Sequence, residues 1–277
     1  MVCDVDGTIT HKDRRIDGRA VDELRAAEAA GVPVVLATGN VLPIAYALGY
    51  LVGTTGPIVA ENGGLIYWRG EVERAASSEQ VEAVARHVEA ALGLKRLFTD
   101  RWRVTEVAFP EAPTTFEDVR AAAARHPGRA SVRIERTGFA VHVMDGRATK
   151  FRGVARALSR LGIDPADALA IGDSDNDVDM IEGCGAGVAL GDASAGLKAA
   201  ADFVAKAPAG AGIREALEAF GVLSAPEGRP RAARERPTRA SRRRRPRSTR
   251  ARRAPRRRPA PRAPRAARPA RRRRTRP

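Results

Sequence analysis

The chain has 277 residues and a formal net charge of +16, and its length allows one large domain or two smaller ones. The charge is unevenly divided, because residues 225–277 hold 24 arginines, no lysine and two acidic residues, whereas residues 1–224 carry 25 basic and 31 acidic residues. The basic balance therefore belongs to the C-terminal segment, and the two cysteines, Cys3 and Cys184, exclude a disulfide scaffold or a cysteine-rich zinc module.

The N-terminal residues do not have the pattern of a secretory signal peptide, because charged side chains between Asp4 and Arg15 interrupt every apolar run. We therefore expect a cytoplasmic protein. The segment 20–30 is rich in alanine, leucine and glutamate with apolar residues at helical spacing, and Gly31 follows it as a stop signal. This pattern predicts a helix.

No charged residue occurs between Gly31 and Ala60, a stretch long enough on paper to span a bilayer. Three prolines and four glycines inside this stretch interrupt any continuous helix, so we do not expect a membrane segment. We predict instead a strand over 32–37, a polar turn over 38–40, a short helix over 42–51 and a strand over 58–60.

The pattern changes after residue 71, where amphipathic helices accompany short alternating strands. The predicted elements are a helix over 78–92, a strand over 102–109, a helix over 116–126 and hairpin strands over 131–135 and 139–143. Helices that serve a small antiparallel sheet are typical of a separate α+β domain. We therefore predict an inserted cap domain over residues 72–146, called the inserted segment below.

Alternation of helices and buried strands returns after the insertion, with a helix over 151–161 and strands over 168–171 and 186–190. Together with the first segment, this alternation predicts an α/β fold, a Rossmann-like doubly wound parallel sheet built from residues 1–71 and 147–224. Residues 225–277 consist mainly of arginine, proline and alanine, so we expect a disordered basic tail there.

Two acidic motifs, DVDGT at 4–8 and GDSDND at 172–177, follow predicted strands of this sheet. Ligands bind at the carboxyl ends of strands in such folds, and carboxylates that converge there repel each other unless a hard cation such as Mg²⁺ lies among them. The second motif also resembles a calcium-binding loop, but Val178 stands where that loop needs glycine and Cys184 where it needs glutamate. Taken alone, this motif is also compatible with a solvated acidic turn before a helix.

Four motifs, in order, resemble those of the haloacid dehalogenase superfamily of phosphohydrolases. They are DVDGT at 4–8, Thr38 in ATGN, the isolated Lys150 and GDSDND at 172–177. The resemblance covers roughly residues 1–224, and an insertion between the second and third motifs is typical of one subgroup. Within that subgroup, the short insertion and the runs DVDGTIT, LATGNVLP and AENGG are most similar to archaeal phosphoglycolate phosphatases.

The resemblance implies a role for each matching residue. Asp4 is the expected nucleophile, which forms an aspartyl-phosphate, and Asp6 is the expected general acid and base. The expected phosphoryl-binding residues are Thr38, Gly39, Asn40 and Lys150. The expected Mg²⁺ ligands are Asp4, Asp6 through its backbone carbonyl, Asp173 and Asp177.

Other polar residues receive weaker predictions. Contact between the run Glu61-Asn62-Gly63 and the substrate is left open. Asn176 is expected to orient Lys150 or a loop rather than to bind metal, and Asp175 and Asp179 are expected to face solvent. The four histidines show no ligand spacing and are given no role.

The sequence thus predicts a Mg²⁺-dependent phosphomonoesterase that acts on a small phosphorylated metabolite, with 2-phosphoglycolate as the expected substrate and a sugar or glycerate phosphate as the alternative. A second hypothesis is a nucleic-acid-associated protein, defined by residues 225–277. This tail is either an arm for non-specific nucleic acid binding or a segment without selected function. The second alternative stays open because the tail contains no aromatic residue that could stack on bases. The motifs predict no oligomeric state.

The first strand is short in this sequence. Only three residues precede Asp4, whereas a typical strand that crosses a sheet has about five to six residues. We therefore expect either an upstream start or a marginally stable protein.

Overall fold

A computed structural model describes residues 1–112, 114–137 and 140–224. Within these residues the chain forms one sheet of eight strands and one of three, and both sheets belong to the same unit of the chain. The segment 225–277, for which disorder is predicted, lies outside the described residues.

The elements are numbered in chain order. The strands are β1 (Val2–Asp4), β2 (Val35–Ala37), β3 (Ile58–Ala60), β4 (Leu65–Trp68), β5 (Glu71–Arg74), β6 (Glu106–Pro110), β7 (Val132–Arg136), β8 (Ala140–Asp145), β9 (Leu169–Gly172), β10 (Ala186–Ala189) and β11 (Phe203–Val204). The helices are α1 (Gly18–Ala29), α2 (Leu42–Val52), α3 (Glu79–Leu92), α4 (Phe116–Ala123), α5 (Lys150–Arg160), α6 (Val178–Gly183), α7 (Ala195–Ala200) and α8 (Ala209–Ala219).

The large sheet has the strand order β11-β10-β9-β1-β2-β3-β4-β5. The six strands from β11 to β3 are parallel, and β4 and β5 are antiparallel at one edge. The predicted α/β fold with a parallel core sheet is therefore confirmed. The β4–β5 hairpin is an addition to the prediction. Its two-residue turn, Arg69-Gly70, has positive φ at both positions. Gly70 is the only residue of the turn that favours this conformation, so the sequence signal for a hairpin is weak.

Helices cover both faces of this sheet. Successive residues of each strand point to opposite sides, so each strand contributes side chains to an apolar cluster on each face. On one face Cys3 packs in a cluster with Leu24 of α1 and Ile213 of α8. On the other face Val2 packs in a cluster with Val154 of α5 and Met180 of α6. This burial of alternate residues on both faces explains why the strands read as continuous apolar runs.

The small sheet is antiparallel, with the order β6-β8-β7, and α3 and α4 pack against it through a separate apolar cluster. This sheet and both helices lie within the inserted segment. The first residues of that segment, 72–74, belong to β5, so the structure assigns them to the large sheet.

Two predicted elements of the inserted segment are longer than the observed ones. The strand predicted from Trp102 begins only at Glu106, because Trp102 ends a short 3-10 helix, Phe98–Trp102. The helix predicted to His126 ends at Ala123. His126 precedes Pro127, and the residue before a proline avoids the helical conformation. His126 has an extended backbone, and its ring Nδ1 accepts a hydrogen bond from the backbone N–H of Gly128.

The uncharged stretch from Gly31 to Ala60 folds as β2, α2 and β3, the predicted order of elements, although β2 begins at Val35 instead of residue 32. In the described part of the chain, every helix is too short or too polar to cross a membrane.

The strand order places the ends of β1, β2 and β9 side by side at one edge of the sheet. β1 pairs in parallel with β2 on one side and with β9 on the other. The chain reverses its direction of progress across the sheet at this point, which is where doubly wound sheets bind ligands.

Candidate active site

Three buried aspartates meet at this edge. Asp4 ends β1, Asp173 directly follows β9, and Asp177 ends a 3-10 helix, Asp175–Asp177. One carboxylate oxygen from each lies within 4.8 Å of the others. Asp177 is held in place because its Oδ2 accepts hydrogen bonds from the backbone N–H groups of Asp173 and Ser174, each at 3.2 Å.

Lys150 supplies a positive charge to this cluster. Its Nζ donates to Asp4 Oδ1 at 2.8 Å and to Asp177 Oδ1 at 2.5 Å, and its side chain is only 1% exposed. Burial opposes charge on this amine, but Asp177 and Asp4 outweigh that effect and raise its pKa. The Thr149 hydroxyl caps α5 and so fixes the start of the helix that carries Lys150.

The cluster remains rich in negative charge, since three carboxylates face one ammonium group. Burial and the nearby charge of Asp177 raise the pKa of Asp4 well above its ordinary value, and they raise the pKa of Asp173 to about 6. Asp4 Oδ2 is buried and has no hydrogen-bond partner among the described residues. A divalent cation would balance the two excess charges and use this oxygen, and hard oxygen donors suit Mg²⁺.

Gly7 leaves the space that the cluster needs. Its φ is +87°, and a Cβ atom at this position would lie 2.2 Å from Asp173 Oδ2. Any other residue at position 7 would displace the Asp173 carboxylate.

Asp6 lies beside the cluster and is held by the loop after β2. Its Oδ2 accepts hydrogen bonds from Thr38 Oγ1 at 3.2 Å and from Asn40 Nδ2 at 2.7 Å. Burial raises the pKa of Asp6, although the Thr38 hydrogen bond acts in the opposite direction. Thr38 and Asn40, predicted to bind a phosphoryl group, therefore contact Asp6 in this structure.

A cavity of about 350 Å³ opens onto these residues. Asp4, Asp6, Gly39 and Asp173 line it, whereas Lys150 and Asp177 are buried behind its wall. Four predicted site residues thus line one cavity, and Thr38, Asn40 and Lys150 contact them from outside its lining. Residues that the sequence did not single out also line it, and they include Thr10, His11, Lys12 and Arg14 from the loop after β1 and Thr137 from the inserted segment.

The loop after β3 connects the large sheet to the inserted segment. The Glu61 carboxylate accepts hydrogen bonds from the backbone N–H groups of Val104 and Thr105 and from Thr105 Oγ1, at 2.6–3.1 Å. Asn62 Nδ2 donates to Glu106 Oε2 at 3.0 Å. Both side chains contact the inserted segment, and among the described residues that line the cavity none comes from 61–63.

Arg103, Glu106 and His142 form a buried charged network in the inserted segment that no sequence pattern indicated. Arg103 Nη1 donates to the Gly39 carbonyl oxygen at 3.0 Å and contacts the Glu106 carboxylate. His142 Nδ1 lies 2.9 Å from Glu106 Oε1, so a histidine that received no role is part of this network. Arg103 and Gly39 are 64 positions apart, and no spacing rule in the sequence signals their contact.

Asn176 and Asp179, which lie in and just after the second acidic motif, both accept hydrogen bonds. Asn176 Oδ1 accepts a hydrogen bond from Ser174 Oγ at 2.7 Å within the loop that follows β9. Asp179, expected to face solvent, is only half-exposed, and it accepts a hydrogen bond from the Phe151 backbone N–H at 3.1 Å. It therefore helps to fix the first turn of α5 beside Lys150.

Comparison with known proteins gives consistent similarities. The family model of haloacid dehalogenase-like hydrolases matches residues 1–99 and 96–217. The phosphoglycolate phosphatases of Methanothermobacter thermautotrophicus and Halobacterium salinarum are each 38% identical, over 221 and 223 residues, which is 79% of this chain and 97% and 95% of those proteins. A crystal structure of a Thermoplasma acidophilum protein matches with a TM-score of 0.73 at 28% identity, covering 80% of this chain and 97% of that one.

Proposed function

Because the chain belongs to the haloacid dehalogenase-like hydrolases and is a phosphomonoesterase, we propose that it hydrolyses 2-phosphoglycolate to glycolate and phosphate through an aspartyl-phosphate on Asp4. The observation that carries the proposal is the state of the Asp4 carboxylate. One of its oxygens is held by Lys150, and the other is buried without a partner among the described residues. The substrate is chosen from the names of the relatives, and a sugar or glycerate phosphate is the alternative.

In the proposed first step, an Asp4 carboxylate oxygen forms a bond to phosphorus while the ester P–O bond breaks. Lys150 orients Asp4 and offsets negative charge as the phosphoryl group approaches. The departing glycolate alkoxide takes a proton from Asp6. The raised pKa of Asp6 favours the protonated form that this step needs.

In the second step, water attacks the phosphorus of the aspartyl-phosphate and gives a proton to Asp6, while the bond between phosphorus and the Asp4 oxygen breaks. Phosphate leaves, and both Asp4 and Asp6 return to their starting states. Thr38 and Asn40 hold the Asp6 carboxyl group in position for both proton transfers. Gly39, which lines the cavity, and Lys150 are the remaining proposed contacts of the phosphoryl group.

The proposed metal ligands are Asp4, the backbone carbonyl of Asp6, Asp173 and Asp177. A bound Mg²⁺ would neutralise charge between the carboxylate nucleophile and the phosphate dianion. The residues fit such an ion, because Asp4 Oδ2 lacks another partner among the described residues and Gly7 leaves room for Asp173.

The test is a steady-state assay of the purified protein against a panel of small phosphate esters, with Mg²⁺ and with excess EDTA. We expect the highest kcat/KM for 2-phosphoglycolate, loss of activity in EDTA and recovery when Mg²⁺ is restored. Full activity in EDTA would refute the metal assignment. A higher kcat/KM for a sugar phosphate or 3-phosphoglycerate would replace the proposed substrate with that ester.

A further inference from the structure

Arg14, in the loop after β1, lines the same cavity as Asp4 and Asp6. The residue is exposed, so a ligand that enters the cavity can reach its side chain. Burial raises the pKa of Asp6, and the charge of Arg14 is among the effects that oppose this rise, so the guanidinium group lies close enough to Asp6 to interact with it. Arg14 therefore places a positive charge at the reaction site, on the Asp6 side of the cavity.

The backbone of the loop holds Arg14 in a conformation that favours glycine. Thr10 and Ile16 form an antiparallel bridge, and the His11 N–H group donates to the Arg15 carbonyl oxygen at 2.8 Å. The Arg14 N–H group donates to the His11 carbonyl oxygen at 2.8 Å, and the φ angle of Arg14 is +68°. A residue with a Cβ atom is strained in this left-handed region, and such strain is concentrated at binding and catalytic sites. The loop thus keeps an arginine where glycine would fit the backbone better.

The other two cations at the cavity have structural partners of their own. Lys12 Nζ donates to the Asp192 carbonyl oxygen at 2.9 Å and lies 3.5 Å from Asp192 Oδ2. Lys150, behind the cavity wall, donates to Asp4 and Asp177. Both are amines, whereas Arg14 is the one arginine among the described residues that line the cavity. A guanidinium group carries parallel N–H donors that match the two oxygens of a carboxylate.

We propose that Arg14 binds the carboxylate of the leaving group and thereby selects phosphate esters of short hydroxy acids. The inference rests on the proposed function, in which Asp4 attacks phosphorus and Asp6 protonates the ester oxygen. In 2-phosphoglycolate a single methylene separates that oxygen from the carboxylate carbon. When the phosphoryl group lies at Asp4, the carboxylate therefore lies near Asp6, where Arg14 is.

The charge of Arg14 also has a second effect on an anionic leaving group. Asp4, Asp6, Asp173 and Asp192 line the cavity, and their negative charges repel a carboxylate that enters it. A guanidinium group on the same wall offsets this repulsion. An ester with an uncharged leaving group needs no such compensation and gains nothing from Arg14.

The experiment compares 2-phosphoglycolate with ethyl phosphate, which has a methyl group in place of the carboxylate. Arg14→Gly removes the side chain and suits the positive φ, so the variant should fold with a Tm close to that of wild type. We expect its kcat/KM for 2-phosphoglycolate to fall about 5- to 50-fold, mainly through a higher KM, since the carboxylate does not react. Its kcat/KM for ethyl phosphate should change less than about threefold. Arg14→Lys keeps the charge without the paired donors, and its loss should be intermediate.

The matched control is Arg15→Gln, which removes an equal charge from the next residue. Arg15 pairs with Asp13 at 2.6 Å, and it is not among the described residues that line the cavity. We expect this variant to keep the wild-type ratio between the two substrates. An equal loss of preference in Arg15→Gln and Arg14→Gly would show a general effect of loop charge and would overturn the Arg14 site.

The remaining outcomes separate this inference from the proposed function. A wild-type enzyme that does not prefer 2-phosphoglycolate to ethyl phosphate overturns the proposed substrate and the Arg14 site together. A wild-type preference that survives in Arg14→Gly, or an equal loss on both substrates, overturns the Arg14 site alone. If Arg14→Gly does not fold, a crystal structure of Asp4→Asn with 2-phosphoglycolate decides. The substrate carboxylate must then lie within hydrogen-bonding distance of the Arg14 guanidinium group, and a carboxylate bound elsewhere overturns the site.

Discussion

Asp4 and Lys150 are 146 positions apart in the chain, and the 2.8 Å contact between them sets the chemistry of both side chains. Burial raises the pKa of Asp4, whereas Asp4 and Asp177 keep Lys150 charged despite burial. The carboxylates that stabilise the charged form of Lys150 also repel each other. This repulsion destabilises the folded protein until a cation binds among them.

This balance gives a prediction for Asp4→Asn. The variant removes the nucleophile, so we expect kcat to fall by about a thousandfold or more. It also removes one charge from a crowded cluster while leaving an amide oxygen for Lys150, so Tm without added metal should stay equal or rise. Assays and thermal unfolding on the same preparation test both parts. The control is Asp175→Asn. Asp175 is exposed and accepts a hydrogen bond from Ser194 Oγ, and the variant should keep kcat within about twofold of wild type.

His142 gives a second prediction, concerning pH. Burial, and next the charge of Arg103, lower its pKa from 6.5 to about 3. The unfolded chain therefore binds a proton below pH 6.5 that the folded protein does not accept, and stability decreases as the pH falls below 6.5. At pH 5 this linkage costs about 2 kcal/mol of unfolding free energy.

Urea unfolding at pH 7.5 and pH 5 measures that cost. The wild-type protein should lose about 2 kcal/mol more between these two values than His142→Gln does. His11→Gln, at an exposed position, should show the wild-type loss. Identical losses in wild type and His142→Gln would show that His142 is not buried in its neutral form.

At the scale of elements, α5 carries Lys150 and packs on the loop after β3 without intervening side chains. A Cβ atom at Gly153 would lie 2.6 Å from the Gly63 Cα, and one at Gly63 would lie 2.0 Å from the Thr149 carbonyl oxygen. The helix approaches the loop this closely only because both residues are glycine.

We therefore expect Gly153→Ala to move α5 away from the loop, to destabilise the protein by about 1–3 kcal/mol and to lower kcat by shifting Lys150. Gly18→Ala is the matched control, because nothing lies within 4 Å of a Cβ atom at the start of α1. That variant should be as stable as wild type or more stable by up to about 1 kcal/mol. Chemical denaturation and steady-state kinetics measure both effects, and a Gly153→Ala protein with wild-type values would contradict the packing argument.

Elements with strong local signals could be predicted from the sequence. β3 has the predicted bounds, and α3 differs from its prediction by one residue, because a buried apolar run and an amphipathic period are both written locally. The convergence of Asp4 and Asp173 followed from the rule that parallel strands end at one edge. The contacts of Arg103 and Glu106 depend on how the inserted segment docks, and local patterns carry no information on docking.

At the scale of the whole molecule, the Glu61 carboxylate is a main polar link between the large sheet and the inserted segment. It is buried and accepts from three donors of that segment. In Glu61→Gln an amide N–H₂ group would face N–H donors, so we expect a loss of about 1.5–3 kcal/mol and faster hydrogen exchange in β6. The control is Glu73→Gln, which removes a partly exposed partner of Arg156 and should change stability by less than about 1 kcal/mol. Unchanged exchange in β6 would show that Glu61 is not needed for docking.

The arginine-rich tail gives the last prediction. The predicted catalytic and metal-binding residues, from Asp4 to Asp177, all precede residue 225 in the sequence, so a protein that ends at Ser224 should keep kcat/KM within a few-fold of the full chain. The full chain, with 24 arginines after that point, should bind RNA or DNA without sequence preference, and its affinity should fall steeply with salt. Fluorescence anisotropy on both proteins tests this. Nucleic acid binding by the truncated protein would mean that another part of the chain is responsible.

The central place of β1 in the large sheet has a consequence for biosynthesis. Val2 lies opposite Val35 in one neighbouring strand and opposite Ala170 in the other, and these partners are 135 positions apart. A ribosome that adds about 5–20 residues per second delivers the second partner roughly 7–27 s after the first. During that interval the strand that ends in Asp4 has one open edge, the kind of surface on which chains aggregate. A central strand of the finished sheet therefore stays open on one side while 135 further residues are synthesised.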